Sequence, residues 1–380
     1  MKPSPVYLDN NATTQMSGEA RAAMEQFLGA SYANPSSPYA FARPASRAVA
    51  KAREQVAALI GCAPSRVVFT SGGTESNNFA LHAALTAQPE RRHLVVSAVE
   101  HASVLAPARA WARRGVRVSE IPVHEDGALD LDALRTMVTS ATALVSVMAA
   151  NNESGVCYPL ETVRAIAHGA GALFHTDAVQ AVGKIDLATH ARDYISLCAH
   201  KIHGPKGAGA LVIPGDASLE PLLAGGEQEF GLRAGTENVA ALAGFGVAAE
   251  QARCLREGMA ARLLEEREKL EQSILRRLPG THIVGAGQPR LPTTTLLLME
   301  GVSTEALLAH LDLEGFCCSS GSACATGAHE ASHVLRAQGL LGRGAALRIS
   351  TSRFTQPGEL ESLVDALVHG VNQLRSVKQF

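Results

Sequence analysis

From about residue 65 to 215 the chain repeats one pattern: a short apolar, β-rich run, then a polar or glycine-rich turn, then a helical stretch. Runs at 67–70, 93–97, 116–121, 143–148, 172–175, 194–197 and 209–213 read as strands, and a helix is predicted over about 75–86. Buried strands alternating with helices predict an α/β fold with a mostly parallel central sheet covered on both faces. Ligands of such sheets sit beyond the carboxyl ends of the strands, where this chain places its polar motifs. After Asn238 the text turns helical, with apolar spacing near 3.6 from 239 to about 278, ending at Pro279-Gly280. A strand at 294–299, a helix at 303–311, a Gly/Ser/Cys/Ala loop at 317–328, a strand near 346–351 and a helix from about 357 complete the reading. These elements predict a large domain over 14–248, and a smaller α+β domain formed by 1–13 and 249–380.

With 46% hydrophobic and 18% charged residues, the composition is that of a soluble globular protein. A net charge of −2 gives no electrostatic reason to expect nucleic acid or an anionic membrane as a partner. The opening residues lack the apolar core of a signal peptide, and no apolar run approaches a membrane span, so a cytoplasmic location is expected. The seven cysteines, at 62, 157, 198, 254, 317, 318 and 324, show no CxxC spacing and are expected as thiols. Only Cys324, among Ser, Gly, Ala and Thr, has a setting that suggests reactivity.

Three motifs follow predicted strands. Gly72-Gly73-Thr74 fits an anion site at a helix start, and fits equally an ordinary strand-to-helix turn with Thr74 as N-cap. His175-Thr176-Asp177-Ala178-Val179-Gln180 places a carboxylate just past a buried strand, where it can face a cationic ring nitrogen or cap a helix. Lys201, in Cys198-Ala199-His200-Lys201-Ile202-His203-Gly204-Pro205-Lys206-Gly207, lies between two buried strands. A lysine held there is expected to have the lowered pKa that Schiff-base chemistry requires. His200 and His203 lack a third ligand at metal spacing, and no metal is expected.

His-Lys-x-x-Gly-Pro-Lys-Gly with an upstream His-x-Asp-x-x-Gln resembles the cysteine desulfurases, in the class V branch of the fold-type-I pyridoxal-phosphate enzymes. Matching segments run through nearly the whole chain: 7–14, Asn34-Pro35-Ser36-Ser37, 71–76, Glu100-His101, 151–155, 233–238 and the catalytic loop 319–324. The likeness is to the nitrogen-fixation and iron–sulfur-assembly type. It implies pyridoxal 5'-phosphate as cofactor and L-cysteine as substrate, with L-alanine as product and the sulfur passing to Cys324 as a persulfide. It further implies that Lys201 carries the cofactor and moves the Cα proton, while His101 stacks on the ring and assists. Asp177 is to pair with the pyridine nitrogen and Gln180 with the ring hydroxyl. Gly73, Thr74, Cys198 and His200 are to hold the phosphate, helped by Thr236 from the second subunit of a homodimer. Asn152 and Arg348 are to bind the substrate carboxylate, and a sulfur-acceptor protein is implied as a partner.

The chain departs from that pattern at several places. Cys198 stands where many members have a phosphate-binding serine, and Phe230 takes the usual arginine position in Glu229-Phe230-Gly231-Leu232-Arg233. Ala331 replaces the customary proline, 340–347 looks about two residues short by the family spacing, and the sequence stops at Phe380 without a longer scaffold-docking tail. These departures bear on phosphate grip at Cys198, on substrate or partner preference at Phe230, and on loop-helix geometry ahead of Arg348.

Overall fold

The computed structural model describes residues 5–187, 193–215, 219–321 and 331–377. Its centre is a seven-stranded sheet in the order β2-β8-β7-β6-β5-β3-β4. The strands are β2 (Val67–Thr70), β3 (His93–Ser97), β4 (Arg117–Ile121), β5 (Thr142–Ser146), β6 (Leu173–Asp177), β7 (Tyr194–Cys198) and β8 (Gly209–Val212). All run parallel except β8, which pairs antiparallel with both β2 and β7. Every residue of β2, β3, β5, β7 and β8 is buried, which is why these runs read as continuous apolar text. The edge strand β4 differs, with exposed Arg117 and Glu120 that discourage further strand pairing.

One polar residue ties the sheet centre together. His175 on β6 places Nδ1 2.8 Å from Ser146 Oγ on β5, and Nε2 3.0 Å from Ser196 Oγ on β7. Burial alone pushes this imidazole down to about 3, so it stays neutral and both nitrogens find a hydroxyl.

Helices cover both faces of the sheet: α3 (Gly73–Ala87), α4 (Ala102–Ala112), α5 (Leu131–Met137) and α6 (Leu160–Gly169). Two more, α1 (Gly18–Glu25) and α2 (Arg43–Ile60), precede the alternating region and are not among the predicted elements. In α2 the buried positions 45, 52 and 57 are alanines beside Val49, Val56, Leu59 and Ile60. These positions recur at helical spacing, so the amphipathic stripe of α2 is present in the sequence, ahead of the alternating region from which the elements are predicted.

The predicted long helix is α7 (Val239–Arg277), packed on α1 and α2 at its start. It links two apolar clusters, joining the sheet's core through Ala241, Phe245 and Ala249 and a second core through Leu270 and Ile274. That second core lies under an antiparallel sheet of β9 (Thr281–Ile283), β10 (Thr294–Met299) and β12 (Ala345–Ser350), with α8 (Thr304–Leu313) and α10 (Pro357–Val377). Ser303, predicted inside α8, is its N-cap, accepting from the Ala306 amide at 3.3 Å. β1 (Val6–Tyr7) pairs in parallel with β11 (Phe316–Cys317), so the predicted loop from 317 begins as a strand. A short helix, α9 (His333–Ala337), follows with Ser332 as its N-cap. No helix among the described residues is long and apolar enough to cross a membrane.

Candidate active site

The carboxyl ends of β3, β5, β6 and β7, with the β2–α3 turn, open onto one cleft of about 770 Å³. Gly73, Thr74, His101, Asn152, Asp177, Gln180, Cys198, His200, Lys201 and Arg348 all line it. Of the predicted site residues, Thr236 does not join them; it is exposed, just ahead of the α7 N-cap Asn238. Cys324 lies outside the described residues.

The turn after β2 is shaped by close approaches. A Cβ at Gly73 would come within 2.7 Å of Val179 Cγ2, and one at Gly209 on β8 within 2.5 Å of Gly72 Cα. Only glycine lets the start of α3 lie this close to β8 and to the β6 turn. Gly73 is the first helical residue and Thr74 sits in the first turn, so Thr74 is not the N-cap; Gly72 holds that position without a side-chain cap. The first N–H groups of α3 therefore border the cleft with no capping side chain.

Asp177 ends β6 and is 6% exposed. Its Oδ1 accepts from the Val179 amide at 2.9 Å and its Oδ2 from Asn77 Nδ2 at 2.7 Å. Turns rather than a helix follow it, so helix capping is not its role. Asn77 was not predicted, although it lies one turn beyond Gly73 on α3 and helical spacing could have found it. Gln180, 5% exposed, donates from Nε2 to the Asn11 carbonyl at 2.9 Å.

Lys201 follows β7 by three residues, in a single helical turn. Its Nζ donates to the Asn11 carbonyl in a very short contact and to the Ala12 carbonyl at 2.7 Å. Beside it, His200 Nδ1 is 3.1 Å from Thr13 Oγ1. Burial, then Lys201 and Lys206, push His200 down to about 4, leaving a neutral imidazole. Cys198 is 1% exposed, and burial holds its thiol up near 11, so it stays protonated. His203, the other half of the metal pair weighed above, turns away to the Gln15 carbonyl at 2.8 Å.

The β3 loop supplies His101, which caps α4 and places Nδ1 2.7 Å from Ser103 Oγ. Ser103 in turn accepts from Asn77 at 2.8 Å, joining His101 to the Asp177 network. From the smaller sheet, Arg348 on β12 reaches the cleft 1% exposed. Its Nη2 donates to Asp9 Oδ1 at 2.6 Å, and its Nη1 to the carbonyls of Asn152 at 3.0 Å and Gly321 at 2.8 Å. Asn152 Oδ1 is buried without a hydrogen-bond partner among the described residues. Glu153, also unpredicted, accepts from Ser332 Oγ at 2.6 Å, and burial raises its carboxyl.

The arrangement sets an amine, a carboxylate, a helix N-terminus and a guanidinium around one cavity. The chain matches the family model described as aminotransferase class-V over residues 6–363. It is 47% identical to a cysteine desulfurase of Cereibacter sphaeroides, covering 99% of this chain and 98% of that one, and 44% identical to cysteine desulfurase 2 of Trichormus variabilis, covering 99% and 96%. A solved NifS-like protein superposes with a TM-score of 0.88 at 33% identity, covering 99% of this chain and all of its own. A structure of SspA in complex with cysteine superposes at 0.81 with 30% identity, covering 92% of this chain and 100% of that one. With full-length likeness and a shared fold, the chain belongs to the aminotransferase class-V family.

Proposed function

We propose that this protein is a pyridoxal-phosphate-dependent cysteine desulfurase, converting L-cysteine to L-alanine and leaving the sulfur on Cys324 as a persulfide. The observation that carries this reading is the meeting of Lys201, Asp177 and Arg348, from three separate elements, around one cleft. The donor set suits the cofactor's chemistry. The α3 N-terminus, Thr74, His200 and the Cys198 thiol suit a phosphate, and the tight glycine turn leaves room for one. Asp177, already oriented by Asn77 and Val179, keeps lone pairs for a protonated ring nitrogen. When bound, pyridoxal phosphate supplies an electron sink for charge that develops at the substrate Cα.

The chain's own residues do the rest. Lys201 holds the cofactor and carries the proton removed from Cα. His101, fixed through Ser103, would stack on the cofactor and assist proton transfer. Gln180 presents its amide to the ring hydroxyl, and Arg348 with Asn152 receives the substrate carboxylate. The Cys324 thiolate forms a bond to the substrate sulfur as the Cβ–S bond breaks; that electron pair stays on carbon, where a proton completes alanine.

The described chain also exposes Leu28, Tyr32, Tyr39, Phe41 and Phe230. Tyr32 and Phe41 meet edge to face at 5.5 Å, and the Arg53 guanidinium lies 4.9 Å from the Phe230 ring. A second copy of the chain covering such apolar groups, and bringing its Thr236 to the phosphate, accords with a homodimer. A sulfur-acceptor protein and a cytoplasmic setting belong to the same proposal.

Purified protein supplied with the cofactor and L-cysteine should release alanine and, with a reductant, an equal amount of sulfide, faster than it acts on other amino acids. Absence of visible cofactor absorbance after incubation with pyridoxal phosphate would overturn the reading. Selenocysteine turned over far faster than cysteine would redirect it to a lyase of that substrate. A smaller effect is expected at position 198. Cys198→Ser replaces a weak thiol donor by a hydroxyl beside the phosphate, so cofactor loss on dialysis should slow by about fivefold, corresponding to roughly 1 kcal/mol. An unchanged loss rate would mean that residue 198 makes no phosphate contact.

A further inference from the structure

A second lysine, Lys184, is buried behind the cleft, 8% exposed, and the mechanism above makes no use of it. Its Nζ donates to Gln180 Oε1 at 3.3 Å. No Asp or Glu among the described residues forms an ion pair with it. The titratable and charged groups facing it are Lys201 and the Cys198 thiol from the β7 turn, Arg348 from β12, the Cys157 thiol ahead of α6, and His203. Lys184 and Lys201 share the wall of a void of about 30 Å³ that separates them from α7.

The hydrogen bonds around it form a connected chain. Lys184 donates to Gln180 Oε1, Gln180 Nε2 donates to the Asn11 carbonyl at 2.9 Å, and Lys201 donates to that same carbonyl. A primary amide can point either its oxygen or its nitrogen at a ligand, and only its partners decide which. An ammonium has donors and no acceptor, so the atom it touches must be the oxygen. Nε2 then gives one hydrogen to Asn11 and keeps the other. With the Asn11 carbonyl accepting from Nε2 and the Lys184 ammonium giving to Oε1, both ends of the amide are fixed and Gln180 can serve the cleft only as a donor.

We propose that Lys184 is a positioning residue of this site: it locks the Gln180 amide as a donor toward the cofactor's ring oxygen and sets a second positive charge behind Lys201. The proposal rests on the use of pyridoxal phosphate argued above. Burial, then Lys201, push Lys184 down to about 7, so it is charged well below that pH, half-charged at it and neutral well above it. A donor to the ring oxygen stabilises its ionised form, and a nearby cation disfavours a proton on the nitrogen that joins Lys201 to the cofactor. Both effects lower the pH at which that linkage loses its proton.

The test is a spectrophotometric pH titration of the holoenzyme, without substrate. In Lys184→Met the midpoint of the cofactor's visible absorbance should rise by about one pH unit, a tenfold change in proton affinity. Lys184→Arg, which keeps a charged donor, should move the midpoint back toward wild type. Lys184→Gln, a polar side chain that strains the pocket less, should shift upward as the methionine variant does, and serves if that variant fails to fold. A normal chromophore whose midpoint is the same in wild type, Lys184→Met and Lys184→Gln overturns the role of Lys184. Wild-type protein that shows no cofactor chromophore at any pH overturns the proposed function itself, so the two failures are distinguishable.

Discussion

Replacing Lys201 by alanine is expected to lower alanine formation from L-cysteine by roughly 10³–10⁴-fold while leaving the protein folded. The side chain donates to the Asn11 and Ala12 carbonyls, in the segment that joins β1 to α1. Losing these bonds costs about 1–2 kcal/mol of stability, small beside the roughly 5–15 kcal/mol typical of a folded domain. The two basic neighbours described beside it are engaged elsewhere. Lys184 is occupied with Gln180, and His200 is a neutral imidazole against Thr13. Borohydride treatment followed by peptide mass analysis should place the cofactor's mass on the Lys201 peptide of wild type and nowhere in the variant. A variant that kept wild-type turnover, or a wild-type protein labelled at another lysine, would remove Lys201 from the chemistry.

Much of this site could be read before any coordinates, because its residues stand at the ends of buried parallel strands. Gly73 after β2, Asp177 at the end of β6 and Lys201 after β7 are each marked by an apolar run that stops at a polar or glycine-rich turn, whereas His101, Asn152 and Arg348 are expected only from the family resemblance. The topology then brings the strand-end turns to one edge. The residues that were not legible act through contacts that leave no mark on residue type. The Asn11 and Ala12 carbonyls hold Lys201 by their backbone, and any residue has a carbonyl. Asn77 and Lys184 lie one turn beyond recognised positions, where polarity reads as solvent exposure until the packing is known. Glu153 is understood only once Ser332, nearly 180 residues later, is seen beside it. The helix α2 differs: its amphipathic stripe is legible in the sequence but lies ahead of the strand-and-helix alternation from which the elements are predicted.

Arg348 should be the residue most costly to lose, for stability and for substrate together. Its guanidinium is 1% exposed and bridges Asp9 to the carbonyls of Asn152 and Gly321. In Arg348→Met the Asp9 carboxylate and both carbonyls lose their donor, and stripping one partner from a buried ion pair costs about 3–5 kcal/mol. Adding Asp9→Asn to that variant should recover part of the loss, since the stranded charge is then gone. The Tm of the two variants measures this directly; equal destabilisation would show that the Asp9 pair contributes nothing. Arg348→Lys separates the second role. Both Nη1 hydrogens are taken by carbonyls and Nη2 gives one to Asp9, which leaves the second Nη2 hydrogen and the buried Nε–H, without a partner among the described residues, for an incoming carboxylate. A lysine brings one point charge and no fork, and kcat/KM for L-cysteine should fall by about 10²-fold, chiefly through KM. Wild-type KM in a folded Arg348→Lys enzyme would mean that the substrate carboxylate is held elsewhere.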